Sequence, residues 1–147
     1  MLAFEPEGRG TDIGMALDTV NNILKRRSIV FLISDYQADP EGYRKPLYMA
    51  SRRHDVIAVD LHDPLDSEIA DVGIMVLEDA ESGELVVVDT SDRRWREAFG
   101  ENVGAHHDAK TSVLRKAGVD RLNIDTSLDY VDELTLFFKR RSDRMRR

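Results

Sequence analysis

The chain has 147 residues, enough for one domain with one buried core, and its formal net charge is −7. Hydrophobic residues make up 41% and charged residues 33%, a globular balance, and the acidic excess argues against a general nucleic-acid binder. The absence of cysteine excludes disulfides and thiolate metal sites, and no apolar run is long enough to span a bilayer, so no membrane insertion is expected. "MLAFEPEGRG" lacks the basic start and apolar core of a signal peptide, and a cytoplasmic location is expected.

After "GRGTD", the apolar residues Ile13, Ala16, Leu17, Val20, Ile23 and Leu24 fall at helical spacing. Thr11 or Asp12 supplies the cap, and Lys25, Arg26 and Arg27 close the helix where cations are favoured. "SIVFLISD" is a short β-branched run that reads as a strand buried on both faces. "YQADPEGYRKPLYMASRRH" leads into a helix whose firmest part spans 46–53, because Pro40 and Pro46 obscure its start. "DVIAVDL" is a second buried strand, ended by "HDP". "VGIMVLEDAESGELVVVDT" reads as a hairpin turning at Ser82-Gly83, with arms apolar enough to need cover on one face.

A long helix is expected from Ser91 or Asp92 to Ala117. Its apolar stripe carries Trp95, Phe99, Val103, His106, Val113 and Leu114, and Gly118 is its natural C-terminal cap. Trp95 and Phe99 read as core. "VDRLNID" is a third, shorter parallel strand. "TSLDYVDELTLFFKRR" is a final helix capped by Thr126 or Ser127, with Tyr130, Val131, Leu134, Phe137 and Phe138 facing inward. The terminal "KRRSDRMRR" carries six basic side chains and one Asp. It reads as a solvated helix end complementing the helix dipole, with an anionic partner as the alternative. The alternation of helices and strands predicts an α/β fold: a mostly parallel, Rossmann-like sheet flanked by helices, with an inserted hairpin, in a single domain over 1–147.

Ligands of open α/β sheets bind beyond the carboxyl ends of the strands. Asp35 follows the first strand, and Asp60, His62 and Asp63 end the second. Thr11 and Asp12 precede the first helix and can face the same edge. A carboxylate and a hydroxyl converging there suit a hard cation such as Mg²⁺, with water or a partner carboxylate filling the remaining positions. The four histidines do not read as a zinc site. His106 belongs to the core or its boundary, adjacent His107 is exposed, and His54 caps a helix end. There is no G-x-S-x-G elbow, and "GRGTDIG" matches neither a P-loop nor G-x-G-x-x-G.

"GRGTDIGMAL", "RSIVFLISDY", "RRHDVIAVDLHDP" and "DVGIMVLEDAESGELVVVDTSD", in that order, resemble the bacterial domain-of-unknown-function 58 family, which is similar to von Willebrand factor A domains. The resemblance covers nearly the whole chain. It implies a metal-ion-dependent adhesion site built from three loops. Thr11 matches the second loop and Asp35 the third, as the ligands this chain contributes, with Asp12 and Ser34 as close neighbours. The Asp-x-Ser-x-Ser of the first loop is absent from the sequence. The chain thus resembles the C-terminal portion of such a domain, a partial domain whose Mg²⁺ affinity is expected to be weak or absent on its own.

The resemblance also implies a protein–protein interaction module without catalysis of its own, acting beside a MoxR-type AAA+ ATPase. In that family's sheet the missing first strand lies beside "IVFLISD". This strand is therefore expected to be an apolar edge, and a homodimer through strand 29–35 or the N-terminal helix is the expected remedy. The alternative function is a small Mg²⁺-assisted phosphohydrolase using Asp35 with Asp60 and Asp63.

Overall fold

The computed structural model describes residues 11–64, 69–78 and 83–146. The N-terminal glycines of "GRGTDIGMAL" and Ser82 of the hairpin turn lie outside the described residues. The element order is α1 (Ile13–Ile23), β1 (Ile29–Ser34), α2 (Pro40–Arg53), β2 (Asp55–His62), β3 (Ile74–Glu78), β4 (Leu85–Asp89), α3 (Arg93–Lys116), β5 (Asp120–Asp125) and α4 (Val131–Met145). The alternation matches the sequence reading element for element.

β2 is the centre of a three-stranded parallel sheet ordered β1-β2-β5. Ile29 registers with Asp55, Ser34 with Asp60, and Asp60 in turn with Asn123. Val56 to Asp60 are all buried, because "VIAVD" has helices on both sides. On one face Val56 and Ala58 join Ile13 and Leu17 of α1, Tyr43, Leu47 and Ala50 of α2, and Val113 and Leu114 of α3. On the other, Ile57, Val59 and Leu122 meet Leu134 and Phe137 of α4. Period-two alternation thus sorts one strand into two cores.

β1 departs from the expectation of burial on both faces. Val30 and Leu32 are half-buried against the first core, while Ile29, Phe31 and Ile33 are 64%, 49% and 62% exposed. Among the described residues β1 is the sheet edge, and α4 covers this face mainly over β2 and β5, reaching β1 through an edge contact between Phe31 and Phe138.

The helix ends follow local chemistry. Asp12 caps α1, its Oδ1 accepting from Met15 N at 2.7 Å. The expected basic closure is met in part by Lys25, whose Nζ donates to the Asn22 carbonyl at 2.6 Å, and is joined from elsewhere: Arg53 of α2 donates to the carbonyls of Asn21 (2.6 Å) and Leu24 (3.3 Å). α2 begins at Pro40, earlier than 46, because Pro40 fits the first turn and Asp39 caps it. Pro46 lies inside α2 and withholds an N–H from the Gly42 carbonyl. Gly14 approaches that same carbonyl so closely that a Cβ there would stand 3.0 Å from it, which draws the first turns of α1 and α2 together.

The hairpin β3-β4 forms its own antiparallel pair, Glu78 opposite Leu85, outside the parallel sheet. Val88 is buried, but Ile74, Val76, Leu85 and Val87 are exposed. α3 is capped by Asp92, and past its end Gly118 turns the chain with a φ of +68°, available to glycine without strain. Trp95 and Phe99 stack at 5.6 Å and are half-buried, not core. In α4, Leu134 and Phe137 face inward as expected, but Tyr130, Val131 and Phe138 are exposed. Neither Thr126 nor Ser127 caps this helix: Tyr130 stands at the cap without a side-chain hydrogen bond, and Asp129 just before it accepts from Val131 N at 3.0 Å. Ser127 instead closes a turn on Asp125. The basic tail is also not merely solvated: Arg141 is buried and pairs with both Asp55 and Asp120, and Arg144 adds a 3.0 Å contact to Asp120.

Tyr43 lies in the first core with its hydroxyl buried and without a hydrogen-bond partner among the described residues. Burial first, then the carboxylates of Asp60 and Asp39, pushes its pKa from 10.0 up to about 12. The native state therefore holds a proton that the unfolded chain releases sooner, so stability is intact below pH 10 and falls as pH rises towards 12. Urea unfolding across this window is expected to show a falling midpoint, with a shallower fall in Tyr43→Phe. An unchanged slope in that variant would contradict the assignment.

Candidate functional site

β1, β2 and β5 run parallel, so their carboxyl ends form one edge. Asp35 follows β1, Asp60 and His62 end β2, and Asn123 and Asp125 end β5. α2 starts from this edge after the β1 loop, and the Gly14–Gly42 approach brings the start of α1, with Thr11 and Asp12, to the same side.

The loop after β1 is tightly buckled. Ser34 Oγ donates to Asp35 Oδ1 at 3.3 Å and accepts from Tyr36 N at 3.0 Å, and Asp35 Oδ1 accepts from Gln37 N at 3.2 Å. Tyr36 has a φ of +57°, a left-handed conformation that costs a bulky residue about 1–3 kcal/mol. Three contacts hold it there. Its hydroxyl donates to Leu32 O at 2.8 Å, its carbonyl accepts from His106 Nε2 at 2.8 Å, and its ring meets Tyr43 edge-on at 6.0 Å. Burial, then the negative charge of Asp60, raises the Tyr36 pKa far above the usual phenol range. Tyr36 fixes the direction in which the chain leaves Asp35.

Asp60 is 2% exposed. Its Oδ1 lies 3.0 Å from Lys110 Nζ and its Oδ2 2.5 Å from Arg121 Nη2, the latter an ion pair by proximity without hydrogen-bond alignment. Lys110 also reaches the Asp35 carbonyl at 3.5 Å, which ties the β1 loop to the end of β2. Arg121 Nη1 donates to Thr111 Oγ1 at 2.8 Å. Beside this trio is a cavity of about 150 Å³ lined by Asp60, His62, His107, Lys110, Arg121 and Asn123.

The candidate metal ligands fit an ion only in part. Mg²⁺ requires near-octahedral oxygen ligands. Asp35 turns Oδ1 into its own loop, Asp12 serves as a helix cap, and Asp60 is engaged by two cations. Among the described residues no group of three or more His, Asp or Glu side chains is placed to hold an ion. Thr11 and Asp35 therefore do not complete a Mg²⁺ shell by themselves. His54, buried at the opposite end of β2, lies far from His62 along the strand. Exposed His107 lines the cavity, and His106 buttresses Tyr36, as a boundary residue should.

The sequence reading missed Lys110, Arg121, Asn123 and Tyr36. A signal existed for the first two. A carboxylate ending a run as apolar as "VIAVD" must be met by cations, and Lys110 shares the inward side of α3 with His106, Val113 and Leu114. Asp60→Asn would leave buried Lys110 and half-buried Arg121 without their counter-charge. It is expected to cost about 3 kcal/mol in urea unfolding. A loss within the range of surface substitutions would show that the trio is not a structural centre.

The family model described as "Protein of unknown function DUF58" matches residues 1–109. An uncharacterised protein of Mycobacterium avium, MAV169, is 32% identical over 136 residues, covering 92% of this chain and 79% of that protein. Uncharacterised proteins of Mycobacterium bovis (Mb1516) and Mycobacterium tuberculosis (Rv1480) are each 34% identical over 133 residues, covering 90% of this chain. The matched region spans only 41% of the length of these two relatives. No solved structure matches the chain. With the family match extending from the α1 mouth through the hairpin and into α3, the chain belongs to the DUF58 family.

Proposed function

We propose that this chain is a protein–protein interaction module of von Willebrand A type, without catalysis of its own. The observation that carries the reading is β1: a sheet edge whose outer row of Ile29, Phe31 and Ile33 is exposed, directly beneath the Asp35 loop. An edge strand with an apolar face is a template for pairing, and covering each such side chain contributes about 1 kcal/mol or more. Thr11 and Asp35 contribute two ligands to an incomplete metal-ion-dependent adhesion site. A partner, in the family context a MoxR-type AAA+ ATPase, supplies the carboxylate that completes the shell around a weakly held Mg²⁺. In isolation the chain forms a homodimer across β1. The exposed hairpin residues Ile74, Val76, Leu85 and Val87 offer a second contact surface.

The phosphohydrolase reading has less support, because Asp60, which would have to ligate the metal beside Asp35, is engaged by Lys110 and Arg121.

Sedimentation velocity across a concentration series tests the edge. The wild type is expected to dimerise, and Ile33→Lys, which places a charge on the exposed row, to weaken dimerisation about tenfold or more. A wild type that stays monomeric, or an Ile33→Lys dimer of unchanged strength, would contradict pairing through β1. Calorimetric titration with Mg²⁺ and Mn²⁺ is expected to give weak binding that Asp35→Ala abolishes. No heat with either ion would reject the metal site.

A further inference from the structure

The Asp60 trio carries more positive charge than its carboxylate cancels. Lys110 and Arg121 both pair with Asp60, so the three side chains together hold one net positive charge, and Lys110 is 9% exposed. Arg121 Nε is buried without a hydrogen-bond partner among the described residues. A buried, incompletely neutralised cation is costly unless a counter-ion or water meets it. The cavity that opens beside the trio is the place where one can. His107 lies one helical turn before Lys110 on α3, His62 follows Asp60 on the same side of β2, and Asn123 follows Arg121 on the same side of β5. Donors therefore arrive from three elements around a space of about 150 Å³, room for several waters or for one small oxyanion with part of its hydration.

We propose that this cavity is a binding site for a single tetrahedral oxyanion of the phosphate class. Lys110 and Arg121 provide charge at its floor, and His62, His107 and Asn123 provide donors at its rim. Asp60 is not a ligand of the anion. It holds the two cations at a fixed spacing and leaves one unit of charge for the guest. Asp125, the carboxylate beside His62, has its Oδ1 engaged within its own loop by Ser127 N and Oγ at 2.8 and 2.6 Å, and it is not among the described residues that line the cavity. Convergence from three directions suits a tetrahedral group better than a planar carboxylate, which is met best by a single forked donor. Because Lys110 also touches the Asp35 carbonyl, an occupied cavity would brace the β1 loop. The phosphate arrives either as the free anion or as the end of a small ester.

The test is a titration of the whole chain with inorganic phosphate, at constant neutral pH and ionic strength, followed through the imidazole resonances in NMR. Phosphate and sulfate are expected to shift the signals of His62 and His107 and to leave that of His54, at the other end of β2, in place. Asn123→Asp and His107→Glu, both at exposed positions, are expected to weaken phosphate binding about tenfold or more while leaving the unfolding midpoint unchanged. Phenyl phosphate binding as tightly as inorganic phosphate supports the site with an ester as its source, and its rejection supports the site with the free anion. Unmoved His62 and His107 signals at millimolar phosphate would overturn the proposal. So would unchanged affinity in both variants, or acetate binding as tightly as phosphate.

Discussion

β2 must be charged at both ends and apolar between them, and the rest of the chain is arranged to make that tolerable. Asp55 opens the strand and Asp60 closes its buried run, with Val56, Ile57, Ala58 and Val59 between them. A carboxylate at a strand end beside a core demands a cation, and the nearby Arg53 is already engaged on the carbonyls that end α1. Asp55 is met by Arg141, which comes from the last helix and also holds Asp120 at the start of β5. Asp60 is met by Lys110 from α3 and Arg121 from β5. These contacts fix which helix covers which face. α3 is drawn to the carboxyl edge on one side, and α4 is clasped to the opposite edge by its basic end. The hydrophobic cores supply most of the favourable free energy, and the charged ends fix the register in which those cores meet.

The same arrangement concentrates chemistry at one edge. The strained Tyr36, the Asp35 loop, the Asp60 trio and the small polar cavity are neighbours because three parallel strands end together. Strain held in place by Leu32, His106 and Tyr43 is an investment in the direction of one loop, and such outliers cluster at functional sites. Next to that loop stands an edge strand whose outer apolar row remains largely uncovered. A loop held in one direction beside an uncovered apolar edge is the arrangement on which the proposed recognition of another protein rests.

Much of this was legible in the residues. Periodicity settled the order of helices and strands, because "SIVFLISD", "DVIAVDL" and the stripe beginning at Ile13 are strongly patterned. Caps that act within a few residues, at Asp12, Asp92 and Gly118, were equally readable. What failed was long-range. Nothing local in "KRRSDRMRR" separates Arg141, buried against Asp55, from its solvated neighbours. The closure of α1 is shared between its own Lys25, which was readable, and Arg53, far along the chain, which was not. β1 looks like a doubly buried strand by composition, because an edge strand with one uncovered face can have the same apolar content as a central one. The candidate site followed the same rule. Asp35 and Asp60 were visible as strand-end acids; the need for cations beside Asp60 was legible too, but which cations on α3 and β5 meet it became visible only through packing.

The central claim is that the outer edge of β1 is a pairing surface, and hydrogen exchange of the β1 amides tests it most directly. Measured across a dilution series, the alternate amides of 29–34 that point away from β2 are expected to be protected at high protein concentration and to lose protection on dilution, while the amides of 56–60 stay protected throughout. Fast exchange of those outer β1 amides at every concentration would show an edge left open to water, and would contradict the account.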